Sequence, residues 1–281
     1  MILQGFETRQ VTDSVITPFV ESAKGIIHKR NGPSVGQYQK TQWPTFSYTY
    51  QNMKASEWVV FGVLRGTGDL IKQCQKEKRN FYYFDHAYYF KEQKHGRNPV
   101  FGDRIYRLTK NLLSLNYIDK LDEIDYNRIR NYQKHIRMKP FKKEGKYILV
   151  LPPSDHMKVY YMTGAGWEDT IVNTLKKYTD REIKIRIKGS ITPLLKDIRN
   201  AWAVVSFQTT AAVDALIEGV PSFCDEISCA KPVSYSLKDL SEIEQPFYPV
   251  YRKEWLDSLL ANQYTLKEIE NGVAWGRVSA R

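Results

Sequence analysis

The sequence predicts an α/β protein of two domains, each built around a largely parallel sheet. Short apolar runs, WVVFGVL (58–64), FYYF (81–84), YILVL (147–151) and AWAVVSF (201–207), alternate with stretches of helical spacing. That alternation implies parallel strands joined by right-handed crossovers. A chain of 281 residues, 42% hydrophobic and 26% charged, is long enough for two soluble domains, each with its own core. The expected boundaries are a basic domain over 1–140, a second over 147–250, and a C-terminal segment, 251–281.

MILQGF reads as a first strand. The sequence up to residue 57 is then irregular, with Lys29, Arg30, Lys40 and Trp43 among Tyr38, Phe46, Tyr48 and Tyr50. Basic residues interleaved with aromatics can grip backbone phosphates and stack on exposed bases. After the strand at 58–64, Gly66 and Gly68 give a tight turn with Arg65 at its head, and DLIKQCQKEKRN reads as a helix. The strand FYYF ends on Asp85-His86. A carboxylate beside an imidazole at a strand end suits a general base that takes a hydroxyl proton, Asp85 first and His86 second. The same pair would also serve as a turn cap and a packing residue.

The loop KEQKHGRNPVFGDR brings Lys91, Lys94, His95, Arg97 and Arg104 together as a lid or an acceptor clamp. Residues 105–125 read as a strand and turn. The segment 126–146 holds Arg128, Arg130, Lys134, Arg137, Lys139, Lys142, Lys143 and Lys146 against Glu144 alone; it reads as a helix as far as Met138, broken by Pro140 and Gly145.

In the second half, 147–151 is a buried strand, followed by a loop and a helix near 167–178. EIKIRIKG is a strand ending at Lys188-Gly189, and TPLLKDIRN a short helix begun by Thr192-Pro193. The strand at 201–207 gives way to a polar turn, Ser206, Gln208, Thr209 and Thr210, with Thr209 or Thr210 as N-cap. Gly219 and Pro221 stop the helix after about ten residues. Its open amino end suits a phosphate. Three strand ends, at 153–155, 188–190 and 206–210, fall on one edge. The tail offers a helix near 252–262 and a shorter one opened by a capping box, Thr265 with Glu268.

The net charge is +11, and residues 1–146 hold 26 Lys and Arg against 14 Asp and Glu, whereas 147–281 hold 16 against 17. A basic half beside a near-neutral one points to a polyanionic partner, nucleic acid before an anionic lipid surface. Lys29, Arg30, Arg65, Lys94, Arg97, Arg104, Arg130, Lys134 and Arg137 are the candidate nucleic-acid contacts. No run reaches the ~18 apolar residues of a membrane span. The amino terminus lacks a secretory pattern, and Cys74, Cys224 and Cys229 show no metal-ligand spacing. These features place the chain in the cytoplasm with reduced thiols, and they leave its oligomeric state open.

The segment TTAAVDALIEGVPSF resembles the donor-site signature of GT-B glycosyltransferases: a Ser/Thr-rich turn, a small-residue helix, a Glu-Ala pair and Gly-x-Pro. Asp214-Ala215 stands where Glu-Ala is usual, one methylene shorter. The resemblance implies two Rossmann-like domains facing a cleft, with the C-terminal helices of 251–281 crossing back to the first domain, the turn holding a nucleotide diphosphate and the carboxylate a ribose. The donor set is then Lys188, Gly189, Ser190, Ser206, Gln208, Thr209, Thr210 and Asp214. Most of the chain, most strongly 58–110 and 185–276, also looks like uncharacterised tailed-phage proteins.

The expected function is transfer of a sugar from a nucleotide-sugar, UDP-glucose for preference, to a 5-hydroxymethylpyrimidine of duplex phage DNA. Such a base must leave the stack to be reached. No tightly bound cofactor is expected. The absence of D-x-D argues for charge neutralisation by Lys188, the helix start and Arg65 rather than by a metal, and an inverting displacement is expected. The alternatives are a transferase acting on a capsule or surface glycan, and a nucleic-acid-binding protein without activity.

Overall fold

The computed structural model describes residues 2–7, 10–28, 56–64, 67–90, 100–164 and 166–280. The chain divides into two compact units, Met1–Leu113 with Asn262–Arg281, and Ser114–Ala261.

The first unit opens with β1 (Ile2–Phe6), α1 (Gln10–Ser22) and β2 (Ile26–His28), a parallel strand pair with a helical crossover. β3 (Ser56–Phe61), α2 (Thr67–Lys76) and β4 (Phe81–His86) follow, with β3 parallel to both β1 and β4. β5 (Ile105–Lys110) then runs antiparallel to β4. Val15, Ile16, Phe19 and Val20 of α1 are fully buried, one stripe of a helix laid on the sheet. Gly5 permits the close approach: a Cβ there would stand 2.6 Å from Val20 Cγ2 and 2.8 Å from Ile16 Cγ2.

The second unit opens with α3 (Glu123–Gln133), started by a capping box in which Asp122 Oδ1 accepts from Asp125 N at 2.9 Å. The helix ends at Gln133, thirteen residues short of the basic run's end, so Lys139 to Lys146 lie outside any helix or strand. Then come β6 (Tyr147–Leu151), α4 (Asp155–Tyr161), α5 (Trp167–Leu175), β7 (Glu182–Ile185), α6 (Leu194–Asn200) and β8 (Ala201–Ser206). α7 (Ala211–Ile217), β9 (Ser222–Cys224), β10 (Tyr235–Ser236) and α8 (Arg252–Ala261) complete the unit. Its five strands are all parallel, in the order β10-β9-β8-β6-β7. α4 occupies what the sequence reads as loop, and α7 has seven residues rather than about ten.

The chain returns to the first unit as β11 (Gln263–Thr265), α9 (Leu266–Glu270) and α10 (Val273–Ser279). β11 pairs antiparallel with β5, so the first sheet is mixed and not wholly parallel, in the order β11-β5-β4-β3-β1-β2. The Thr265–Glu268 capping box forms, with Thr265 N donating to Glu268 Oε2 at 2.7 Å. Both the basic helix α3 and α8 lie within the second unit, where Gln133 Nε2 donates to Asp257 Oδ1 at 2.8 Å and Asp119 N to Ser258 Oγ at 2.8 Å. These polar ties hold 114–140 and 251–261 to that unit, and the return begins at Asn262.

Candidate functional site

In the second sheet the chain steps from β6 outward to β7, then back across to β8, so the order reverses between β6 and β8. Ligands of open parallel sheets collect outside the carboxyl ends of the strands at such a reversal, because the crossovers leave on opposite faces and open a crevice. The residues following β6 and β8 are Pro152 to Asp155 and Phe207 to Thr210. β7 lies on the far side of β6, which puts the 188–190 turn about two strand spacings, ~10 Å, from the turn after β8.

Ser206 is fully buried and its Oγ has no hydrogen-bond partner among the described residues, so it lies under the turn and not on its surface. Gln208, Thr209 and Thr210 are partly exposed. Thr209 Oγ1 accepts from Ala211 N at 3.2 Å, Thr209 O from Ala212 N at 3.1 Å, and Thr210 O from Val213 N at 3.0 Å. The first amides of α7 are therefore turned inward, a correction to the open helix start expected from sequence. Thr210, the N-cap, makes no side-chain cap bond. Asp214 lies half-buried on the first turn.

Lys188 is exposed, and Gly189, at φ +93°, has open space where a Cβ would stand. Ser190 Oγ donates to Ile187 O at 2.8 Å and so closes its own turn. The loop is anchored from below by Asp197, which is paired with Lys184 at 2.6 Å and with Arg186 and accepts from Thr192 Oγ1 at 2.8 Å. Burial would raise the Asp197 pKa, but hydrogen bonds from Lys184, Thr192 and Arg186 outweigh it and hold the carboxyl below its ordinary range.

Sequence reasoning missed the aromatic wall beside this turn. Tyr161, Phe207 and Trp167 meet edge to face, with centroids 5.3 Å apart for Tyr161–Phe207 and 6.3 Å for Trp167–Phe207. It also missed Asp225, just past β9, whose N–H donates to Phe207 O at 3.0 Å. The available signal was positional: Phe207 and Asp225 directly follow strands and Trp167 follows a glycine turn, whereas Tyr161 ends α4 and carried no such signal.

In the first unit the strand order reverses between β1 and β3, one strand away from β4. Asp85 turns toward β5: its Oδ2 accepts from Arg107 Nη2 and from Tyr83 Oη, both at 2.8 Å, and its Oδ1 from His86 N at 2.8 Å. Arg107 is itself buried, with its guanidinium 5.1 Å from the Tyr88 ring centroid. His86 points to the opposite face, exposed, with its ring edge-on to Phe61 of β3 at 5.9 Å. The two side chains do not form a dyad, and His86 is the one turned toward the strand reversal.

Lys29, Arg30, Arg65, Lys94 and Arg97 lie outside the described residues. Of the remaining candidate nucleic-acid contacts, Arg104 belongs to the first unit, and Arg130, Lys134 and Arg137, all exposed, belong to the second. Burial pushes the thiols of Cys74 and Cys224 up to about 12, which rules them out as nucleophiles near neutral pH. Among the described residues no three His, Cys, Asp or Glu side chains group as a metal site, and no helix is long and apolar enough to cross a membrane.

No protein-family model matches the chain, and no curated protein matches it. Solved structures do. The chain is similar to the β-Kdo 2,7 transferase of KpsC from Thermosulfurimonas dismutans, with TM-score 0.50 and 11% identity over 99% of this chain and 100% of that one. It also aligns with the β-Kdo 2,4 transferase of the same KpsC, with TM-score 0.49 and 9% identity over 98% of each chain. At such identity the first likeness establishes the fold alone: the chain has the α/β, GT-B-like fold of a protein matched over its whole length.

Proposed function

We propose that this protein is a glycosyltransferase that binds a nucleotide-sugar at the carboxyl edge of its second sheet and transfers the sugar to a glycan hydroxyl. The observation that supports the reading is that the Gln208–Thr210 turn, with the Tyr161–Phe207–Trp167 wall beside it, follows β8 at the β6/β8 reversal, and the Lys188–Gly189 turn follows β7, two strands away. The Thr210 hydroxyl, the Gln208 side-chain amide and the Lys188 ammonium suit a diphosphate, aromatic edges suit a base, and Asp214 or Asp225 suits a ribose hydroxyl. The fold shared with a KpsC Kdo transferase supports the same chemistry and favours a capsule-type or surface glycan as acceptor.

In this reading the Lys188 ammonium offsets the charge of the leaving diphosphate without a metal, the Thr210 hydroxyl donates a hydrogen bond to it, and the displacement inverts the anomeric centre. His86 or Asp85 takes the acceptor proton. Exposure favours His86, because Asp85 already accepts three hydrogen bonds.

A second reading keeps the transfer but takes a hydroxymethylpyrimidine of duplex DNA as acceptor. It is favoured by charge: the sequence of the first unit holds 20 Lys and Arg against 11 Asp and Glu, that of the second 22 against 20. The test is a panel of nucleotide-sugars, including UDP-glucose and nucleotide-linked Kdo, scored by thermal shift and then by transfer of label. Label appearing in an oligosaccharide supports the glycan reading, and label in hydroxymethylated DNA the second. No shift with any nucleotide-sugar sinks both.

A further inference from the structure

A second polar site lies at the opposite end of the same sheet. Arg137, Met138, Lys139, Pro140, Lys142, Arg199 and Glu218 line an open pocket of about 700 Å³. Lys142 precedes β6, Arg199 ends α6 just before β8, and Glu218 follows α7 just before β9, so the pocket sits at the amino edge of the strands. The turn at Gln208–Thr210 is at the carboxyl edge, about one length of β8 away, ~20 Å.

The pocket is built, not a chance meeting of surface lysines. Lys139 N donates to Ile217 O at 2.9 Å and Lys142 N to Gly219 O at 3.0 Å, pinning the basic segment to the end of α7. The buried Arg252 clamps both sides, donating to Leu216 O at 2.8 Å and to Lys139 O, with its guanidinium 3.9 Å over the Phe141 ring. Within this frame Glu218 gathers the cations: its carboxylate is held by both Arg199 Nε and Nη2, at 2.7 and 3.0 Å, and by Lys139 Nζ at 2.5 Å. Lys142 Nζ donates to Arg199 O, and Arg137 stands exposed at the rim.

Of the charged side chains that line the pocket four are cations and one is a carboxylate, so the lining carries a formal charge of +3. Burial, with Lys139 nearby, holds Lys142 below the usual lysine range, against the pull of Glu218. An anion that brings several charges close together relieves this crowding. A glycan with one carboxylate per sugar spreads its charge too thinly, whereas adjacent phosphates match both the Arg fork and the Lys point charges.

We propose that this pocket is a binding site for a compact oligophosphate, a ligand presenting two or more neighbouring phosphate groups, distinct from the nucleotide-sugar site. The phosphates belong either to a free small ligand or to a nucleic-acid backbone. The inference does not rest on the glycosyltransferase reading.

The test is calorimetric titration of the full chain with sodium tripolyphosphate. In the Arg137→Ala, Lys142→Gln double variant the dissociation constant rises about tenfold or more, while Lys188→Ala leaves it within about twofold. Arg137, exposed at the rim, gives the control that does not disturb folding, and Arg137→Ala alone weakens binding about threefold. Inorganic phosphate binds at least about tenfold more weakly than tripolyphosphate. A duplex oligonucleotide that displaces tripolyphosphate, and loses affinity in the same variants, assigns the phosphates to a nucleic-acid backbone; failure to displace assigns them to a small ligand. Unchanged affinity in Arg137→Ala, a loss confined to Lys188→Ala, or equal affinity for phosphate and tripolyphosphate overturns the proposal.

Discussion

Asp85 and Arg107 face one another across the antiparallel β4–β5 pair, with Arg107 Nη2 2.8 Å from Asp85 Oδ2. Arg107 is 8% exposed and Asp85 19%, so the pair sits in low-dielectric surroundings where losing one partner is costly. Asp85→Ala is expected to destabilise the protein by about 3 kcal/mol, because it removes a carboxylate with which a buried guanidinium is paired. Thermal unfolding measures it. A stable Asp85→Ala variant that also transfers normally would remove both roles from this carboxylate.

The base assignment separates by variant. If His86 takes the acceptor proton, His86→Ala lowers kcat by about 10²-fold or more with little change in melting temperature, since the ring is exposed. Normal turnover in His86→Ala together with collapse in folded Asp85→Asn returns the role to Asp85.

At the donor edge, Lys188→Ala and Thr210→Val are each expected to weaken nucleotide-sugar binding about tenfold without loss of stability, because neither side chain is buried. Competition titration with the matching nucleoside diphosphate reads the effect. A fall in melting temperature with unchanged affinity would make these residues part of the scaffold.

Glu218 sets an acid limit on the second unit. A hydrogen bond from Arg199, opposed by burial and aided by Lys139, brings its pKa from 4.5 to about 2. The folded value lies below the unfolded one, so this stabilisation is complete above about 4.5 and disappears as pH falls toward 2. Asp197, also held low, acts in the same direction. Denaturant unfolding across that window should show the loss, and Glu218→Gln should flatten it.

Gly219 permits the contact that frames the basic pocket. Its φ is +78°, and a Cβ would stand 2.1 Å from Pro140 O. Gly219→Ala is expected to cost about 3 kcal/mol, from the left-handed backbone together with the displaced segment. Glycine at this point stops α7 and also admits the neighbouring chain, and a melting temperature equal to that of the parent would deny the second use.

Much of the framework was legible along the chain. Apolar runs of four to seven residues announced β3, β4, β6 and β8, Thr265 with Glu268 announced the start of α9, and the 206–210 turn was placed at a strand's carboxyl end. Those features are local, and periodicity and capping chemistry encode them directly. Helix ends were less secure: α3 stops before Met138 and α7 is shorter than its spacing suggests, since tertiary contacts decide where a helix frays.

What the sequence alone determined is the class of fold, the cores of its strands and the edge where Lys188 and Thr210 lie, because each follows from a short run of neighbouring residues. Only the tertiary structure decided that Asp85 is spent on Arg107, that the first amides of α7 turn inward, that Tyr161 and Trp167 join Phe207, and that Arg199 and Lys139 converge on Glu218. Strand order and register bring together residues tens of positions apart, and no local spacing records that choice.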